Sequence, residues 1–163
     1  MSKKILNVEG DEGQSIPLII DSPHSGKVYP LDFNHQADFA KLRQAEDSYV
    51  DELYKHVSSM GGVFLDAKFP RSYIDPNRSE NDFILEDLNE KNNSECEIIF
   101  NPTIKSQLGI GLVWLKIPPN GEPMYKEKIT LKQLMHRVNT YHRPYHKTLK
   151  NMLDNTYKKF GKF

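Results

Sequence analysis

Cysteine is almost absent from the chain, since Cys96 stands alone among 163 residues. A single cysteine excludes an intrachain disulfide and the paired cysteines of a zinc knuckle. Because no base stands beside Cys96 in the sequence, we expect an ordinary residue there rather than a nucleophile. An excess of charge of one sign is also absent, because 22 Lys and Arg residues balance 22 Asp and Glu residues. A nucleic-acid partner, which needs a basic surface, is therefore not expected.

Long hydrophobic runs are missing as well. The N-terminus is polar and lacks the apolar stretch of a signal peptide, and no segment is long enough to span a bilayer. We therefore expect no membrane partner and a cytoplasmic location. A length of 163 residues suffices for one domain with a real core, and we expect a single domain over residues 1–163.

The first chemically suggestive residues follow a predicted strand. Residues 16–21 form a short apolar run rich in β-branched side chains, which predicts a buried strand. The polar loop Pro23-His24-Ser25-Gly26 comes next. Ligands of open α/β sheets bind beyond the carboxyl ends of the strands, so His24 is a candidate for a metal or catalytic role. The alternative is a loop histidine that caps a turn.

A helix and a second strand are predicted next. Apolar side chains recur at helical spacing from about residue 46 onwards, which predicts an amphipathic helix. Glu46 and Asp47 would lie in its first turn, where carboxylates favour the positive end of the helix dipole. Either carboxylate could instead turn toward the His24 loop. Residues 62–67 predict another strand, and the succession of strand, helix and strand predicts parallel pairing in an α/β fold.

The segment 69–78 places two guanidinium groups, an amide and a carboxylate beside an apolar run. Arg71 and Arg78 each present a planar fork of donors that matches a carboxylate, which suits a small anionic substrate. Pro76 cannot donate a ladder hydrogen bond, so a strand that continues through Ile74 should end there and leave Arg78 on a loop. The alternative for both arginines is a set of solvated surface salt bridges.

The last third of the chain predicts a strand over residues 112–117, a turn over residues 118–121 and a hairpin-like excursion beyond it. Thr130 and Gln133 form a capping box, after which a long apolar face predicts a helix to the end of the chain. Pro144 should kink or break this helix.

Two histidines of this helix have the spacing of a metal pair. His142 and His146 are four residues apart, but Pro144 lies between them and no glutamate accompanies them in an HExxH motif. A structural or supporting role is therefore favoured for both histidines.

The motifs also occur together in a particular order. They are Pro23-His24-Ser25-Gly26, the block 46–53, Arg71 through Asp75-Pro76-Asn77-Arg78, and Tyr145-His146 after Pro144. Over residues 16–160 this combination resembles the N-formylglutamate amidohydrolase family. The resemblance implies a three-layer α/β/α fold with a mostly parallel or mixed sheet, similar to zinc carboxypeptidases and aspartoacylases. It also implies hydrolysis of N-formylglutamate to formate and glutamate, a step of histidine degradation.

A zinc site is part of what the resemblance implies. His24 would be one zinc ligand, and Asp47 would be another, with Glu46 as the alternative. Zinc lowers the pKa of bound water and polarises the amide oxygen, which suits hydrolysis of a formyl amide.

The resemblance also implies a substrate site. Arg71 would be catalytic and face the scissile carbonyl, while Asn77 and Arg78 would join it in binding the substrate carboxylate. Asp75 and His146 would have supporting roles. The substrate would be a small N-acylated acidic amino acid.

The sequence departs from the family at one important point. In the family the long helix leads to a strand with an Asp-x-His-Ser motif, whose histidine is the third zinc ligand, and a later acidic residue is the general base. Neither occurs in the 163 residues. Because a catalytic zinc usually has three protein ligands, we expect weak or absent zinc binding in a shortened, inactive domain that lacks the C-terminal strands.

Two alternative functions follow from this departure. The chain could be a non-catalytic module that binds carboxylates or proteins, or one half of a split enzyme completed by a separate C-terminal fragment. A homo-oligomer is a further open possibility.

Overall fold

The computed structural model describes residues 4–89 and 98–163. Cys96, which we expect to be unreactive, lies outside the described residues.

A three-stranded sheet supports the first part of the candidate site. Its strands are β1 (Leu6–Glu9), β2 (Ile19–Ser22) and β3 (Val63–Ala67), in the order β1-β3-β2. Strand β3 is central, and all five of its residues are buried. It pairs with β1 in antiparallel and with β2 in parallel orientation. The fold is therefore mixed α/β, and the predicted parallel pairing of the two strands is confirmed.

Strand β2 begins three residues later than the sequence predicts. The amide groups of Ser15 and Ile16 both donate to the carbonyl of Gly61, at 2.8 and 3.1 Å, and the Leu18 amide donates back to Ile16 at 2.8 Å. Pro17 has no amide hydrogen to add to a ladder. The chain therefore makes a tight turn before it enters the sheet.

The long amphipathic helix predicted from residue 46 is wrong. A short α1 (Phe39–Arg43) precedes this region, and α2 (Val50–Tyr54) has only five residues before a 3-10 helix takes over at Lys55–Met60. Tyr49 has a left-handed backbone with φ 68°, which no α-helix can contain. Glu46 and Asp47 therefore lie before α2 rather than in its first turn.

The strand predicted for residues 112–117 is also wrong for most of its length. The one strand in this range is β4 (Lys116–Ile117), which pairs with β5 (Glu122–Pro123) and confirms the hairpin around the turn, while Trp114 makes an isolated bridge to Ile110. Leu112 is buried in an irregular segment. Its carbonyl accepts a hydrogen bond from the backbone amide of Asp75 at 2.8 Å and not from a neighbouring strand. The apolar run was thus a signal of burial and not of a strand. A short α3 (Ile104–Gln107) lies before this region.

The C-terminal helices form one continuous helical stretch. It consists of α4 (Leu131–Arg137), a π-helical segment (Val138–His142) and α5 (Arg143–Phe160). The predicted capping box of Thr130 and Gln133 is present. The amide of Arg143 bonds to the carbonyl of Val138, five residues back, and Pro144 lies in the first turn of α5. A break at Pro144 is therefore wrong, because a π turn carries the helix through to the proline, while the alternative of a kink stays a prediction.

Helix α5 packs on the sheet and closes the hydrophobic core. Tyr145 is buried at its start, and its hydroxyl donates to the Asp21 carboxylate on β2 at 2.5 Å. The core also holds Leu65 on β3 and Tyr73 and Ile74 from the segment that follows this strand. Among the described residues, no helix combines the length and the apolar character needed to cross a bilayer.

Gly26 is required where the His24 loop meets the end of β3. A Cβ atom at Gly26 would lie 2.1 Å from the Phe69 carbonyl oxygen, whereas one at Gly13 would meet no atom within 4 Å. We expect Gly26→Ala to lower the free energy of unfolding by about 2 kcal/mol, the usual cost of forcing an atom into packed backbone. Urea unfolding measures this, with Gly13→Ala as the matched control, which should change stability by less than about 0.5 kcal/mol. Equal effects of the two substitutions would contradict the prediction.

Candidate functional site

His24 lies in the loop that follows β2 and is nearly buried. Its Nε2 is 2.7 Å from Asp75 Oδ1, and its Nδ1 is 3.3 Å from Asp47 Oδ2. The backbone amide of Asp47 also donates to the carbonyl of His24 at 3.1 Å. The structure therefore brings together three of the residues singled out in the sequence, from three separate segments.

Asp75 connects most of the candidate residues. Its side chain is completely buried, and besides His24 it contacts Arg71 Nη2 at 3.1 Å and the Asn77 amide at 2.9 Å. Arg78 Nε is more distant, at 3.9 Å from Oδ2. Burial alone would raise the pKa of Asp75, but its bonds to His24, Arg71 and the Asn77 amide outweigh burial and lower that pKa. The carboxylate is therefore ionised and holds its neighbours in place.

Arg71 spans the space between two carboxylates. One of its terminal nitrogens lies 3.1 Å from Asp75, and the other lies 3.4 Å from Asp47. The guanidinium also stacks over the Trp114 ring at 5.5 Å, and Arg71 Nε is buried without a hydrogen-bond partner. A surface salt bridge does not describe this arginine, because one of its partners is fully buried.

Glu46 lies in a different environment from Asp47. Its two carboxylate oxygens contact the Tyr29 hydroxyl at 2.5 Å and Arg43 Nε at 2.9 Å. Burial and the bond to Glu46 raise the pKa of Tyr29, so this tyrosine stays protonated and donates. Of the two neighbouring acids, it is Asp47 that the structure places against His24.

Asn77 and Arg78 lie on the loop after Pro76, as the sequence predicts. Asn77 is exposed, and Arg78 lines a cleft of about 330 Å³ together with His142, Arg143 and His146. His142 Nε2 donates to the Arg78 carbonyl at 2.8 Å, and His146 Nε2 donates to the Pro76 carbonyl at 2.9 Å. The two helical histidines therefore contact the loop that carries the candidate carboxylate-binding residues.

Three residues near the site were missed at the level of sequence. Trp114 supports the guanidinium of Arg71, and Asp21 receives the hydroxyl of Tyr145. Arg137 is buried over the Tyr73 ring at 4.1 Å and donates to the Tyr73 carbonyl at 3.0 Å, which fixes the backbone before Asp75. No sequence signal identifies these contacts. Arg137 and Tyr73, and likewise Tyr145 and Asp21, are more than sixty residues apart in the chain, and only Arg71 and Trp114 are closer.

The residues present fit part of a metal site. If His24 gives its Nε2 hydrogen to Asp75, its Nδ1 keeps a lone pair that faces a carboxylate oxygen of Asp47. Two acceptors that face each other at 3.3 Å suit a shared cation. Within residues 4–89 and 98–163, no group of three His, Cys, Asp or Glu side chains is arranged to hold a metal ion. The pair thus supplies two of the three ligands that catalytic zinc usually has.

Comparison with known proteins first assigns the chain to the amidohydrolases. A model of the N-formylglutamate amidohydrolase family matches residues 16–163. The chain belongs to this family.

A solved structure agrees with this assignment. The crystal structure of an N-formylglutamate amidohydrolase from Ralstonia eutropha JMP134 is 38% identical and superposes with a TM-score of 0.88 over 96% of this chain. The match covers 54% of the Ralstonia chain, so the present chain spans about half the length of that protein. No curated protein matches the chain significantly.

The neutral state of His142 gives a pH-dependent prediction. Burial lowers the pKa of His142, and the charge of His146 acts in the same direction, against the bond to the Arg78 carbonyl and the acids Glu80 and Asp75. A histidine whose folded-state pKa is lowered stabilises the fold fully above its unfolded pKa, and this contribution is lost as the pH falls through about 6.5 and below.

We therefore expect the free energy of unfolding to decrease on acidification from pH 7.5 to 5.5 less steeply in His142→Gln than in the wild type. Urea titrations at a series of pH values measure the two slopes. The exposed His56, replaced by Gln, is the control and should leave the slope unchanged. Identical slopes in His142→Gln and the wild type would show that this histidine does not resist protonation.

Proposed function

We propose that the chain carries the metal-binding and carboxylate-binding side chains of a zinc-dependent amidohydrolase that releases formate from N-formyl-L-glutamate. The observation that carries the proposal is the contact of His24 with both Asp75 and Asp47. Membership of the N-formylglutamate amidohydrolase family supports the reaction. A related small N-acylated acidic amino acid would satisfy the same groups.

His24 and Asp47 would hold the metal. Asp75 accepts the Nε2 hydrogen of His24, which fixes the ring and directs Nδ1 toward Asp47. A bound zinc ion would supply a Lewis acid that polarises the amide carbonyl and makes water more acidic. Glu46 remains the alternative ligand, but it would first have to leave Tyr29 and Arg43.

Arg71 would stabilise the negative charge that develops on the carbonyl oxygen of the substrate. Its guanidinium is held by Asp75 and Trp114, so it needs little reorganisation when that charge appears. Asn77 and Arg78 would bind the substrate carboxylate, because an amide and a guanidinium together supply several donors to its two oxygens. Asp75 and His146 would act through these residues and not on the substrate.

The proposal also includes the layer arrangement of the fold, the domain boundaries and the cellular location. We take residues 1–163 as one domain of a three-layer α/β/α fold similar to that of the zinc carboxypeptidases, in a cytoplasmic protein. The chain spans 54% of the Ralstonia structure, so the full activity of that enzyme is proposed here and not assigned.

The small number of metal ligands favours a second function, in which the chain binds carboxylates without hydrolysing them. The described residues offer the metal one imidazole and one carboxylate from the His24 site, which suits a module that binds carboxylates without turnover. A separate polypeptide that supplies a further ligand would convert such a module into one half of a split enzyme.

Metal binding is the first test. We expect the purified chain to bind zinc weakly, and His24→Ala and Asp47→Asn each to weaken it further by about tenfold or more, the usual effect of losing a metal ligand or its support. Competition with a fluorescent chelator measures the affinity. The exposed His56→Ala should behave as the wild type, and Glu46→Gln should also retain binding if Asp47 is the ligand. Loss of binding in Glu46→Gln but not in Asp47→Asn would reverse the assignment.

Activity is the second test. We expect the 163-residue polypeptide to release negligible formate from N-formylglutamate, even with zinc added. Among the described residues, the pair of His24 and Asp47 supplies two metal ligands, and hydrolysis without a positioned general base is slower by about a hundredfold or more. A formate-release assay on metal-reconstituted protein, with His24→Ala as control, measures this. Robust turnover that His24→Ala abolishes would show that the chain holds a third ligand and a base, with His142 and His146 the first residues to examine, or that a second subunit supplies them.

A further inference from the structure

Two histidines of the C-terminal helical stretch, one at the end of the π-helical segment and one in the first turn of α5, hold one short loop. His142 Nε2 donates to the Arg78 carbonyl at 2.8 Å, and His146 Nε2 donates to the Pro76 carbonyl at 2.9 Å. The Pro76 carbonyl belongs to the peptide group before Asn77 and the Arg78 carbonyl to the peptide group after Arg78, so the two bonds fix both ends of the Asn77-Arg78 pair. The imidazole rings are neighbours, with centroids 4.5 Å apart, as expected for side chains four residues apart on a helix.

The loop is also held from its other side. Asp75 accepts from the Asn77 amide at 2.9 Å, and its own carbonyl accepts from the Arg78 amide at 3.1 Å. These bonds form a local turn, which Asp75 anchors through its contacts with His24 and the Leu112 carbonyl. The bonds from His142 and His146 join the loop to the C-terminal helical stretch, and the ion pair of Arg143 with Glu80 at 2.8 Å lies beside them.

Two adjacent residues of α5 connect the helix to the sheet on one side and to the loop on the other. Tyr145 donates to Asp21 on β2, whereas the next residue, His146, donates to the loop. Strand β2 leads directly into the His24 loop. Together with the contact of His24 and Asp75, the start of α5 therefore helps to set the distance between the His24 loop and the loop of Asn77 and Arg78.

We propose that His142 and His146 are positioning residues, which hold the backbone carbonyls of Arg78 and Pro76 so that Asn77 and Arg78 face the substrate carboxylate. This inference rests on the carboxylate-binding role of Arg78 under the proposed function. A metal pair is the less favourable interpretation of the two histidines, because no third ligand completes a site among the described residues.

The side-chain amide of glutamine provides a conservative replacement. Its Nε2 can donate to the same carbonyl as the histidine Nε2, whereas leucine fills similar space without a donor. His146→Gln and His146→Leu are the main pair, because His146 is exposed and its replacement leaves the core intact. His142→Gln and His142→Leu form the second pair at a buried position.

The first measurement is binding of glutarate, a dicarboxylate probe, by calorimetry. We expect each leucine variant to raise the Kd about tenfold, as for the loss of one well-placed hydrogen bond, and each glutamine variant to stay within about threefold of the wild type. Arg78→Ala is the reference for loss of the direct contact. A purely structural role would lower the melting temperature of both variants of a pair and leave the Kd of folded protein unchanged, which would overturn the proposal.

The second measurement does not depend on a ligand. Hydrogen exchange of the Asn77 amide, followed by NMR, should be faster in His146→Leu than in the wild type and restored in His146→Gln. Unchanged exchange in His146→Leu would overturn the positioning role even if glutarate binding changes. If the wild type binds no glutarate, or Arg78→Ala binds it equally well, the proposed carboxylate site fails, and the exchange data still decide whether the histidines hold the loop.

Discussion

The buried carboxylate of Asp75 is the constraint on which the rest of the site depends. An isolated charge in the interior of a protein is strongly unfavourable, so it persists only where ionic and hydrogen-bond partners surround it. Asp75 satisfies this condition with the imidazole of His24 from another loop and with a guanidinium and a backbone amide from its own segment. Each partner is thereby oriented by the same charge. The position of His24 relative to Arg71 is in effect set by a residue that would not itself meet the substrate.

The surrounding structure determines where this carboxylate can lie. The backbone amide of Asp75 donates to Leu112, which belongs to the buried irregular segment that also brings Trp114 under Arg71. Arg137 holds the Tyr73 carbonyl two residues earlier. The segment from Arg71 to Arg78 is thus supported by a loop from the middle of the chain and by the C-terminal helices. Rigid support of this kind is what a binding site needs if its donors are to be preorganised.

The sequence singles out most of the residues that the structure brings together at the candidate site, whereas it predicts the secondary structure around them only in part. The residue types and order of the His24 loop, Arg71 and the Asn77-Arg78 pair carry chemical information, and the roles of these residues stay predictions. The capping box of Thr130 and Gln133 is local, and its prediction is confirmed. The helix expected from residue 46 is interrupted by the left-handed backbone of Tyr49, which the spacing of the apolar residues does not reveal. Likewise, the run 112–117 is apolar because it is buried, and burial does not distinguish a strand from an irregular segment.

The π-helical segment Val138–His142 has a consequence for the phase of the helix that follows it. A π turn accommodates one more residue than an α turn in about the same rotation around the helix axis. If the same residues formed a regular α-helix instead, every later side chain would be rotated by about 100° relative to α4. Tyr145 would turn away from Asp21 and His146 away from Pro76, although no side chain that makes these bonds had changed. The register between the sheet and the loop of Asn77 and Arg78 is therefore encoded in the backbone geometry of this segment as much as in its side chains.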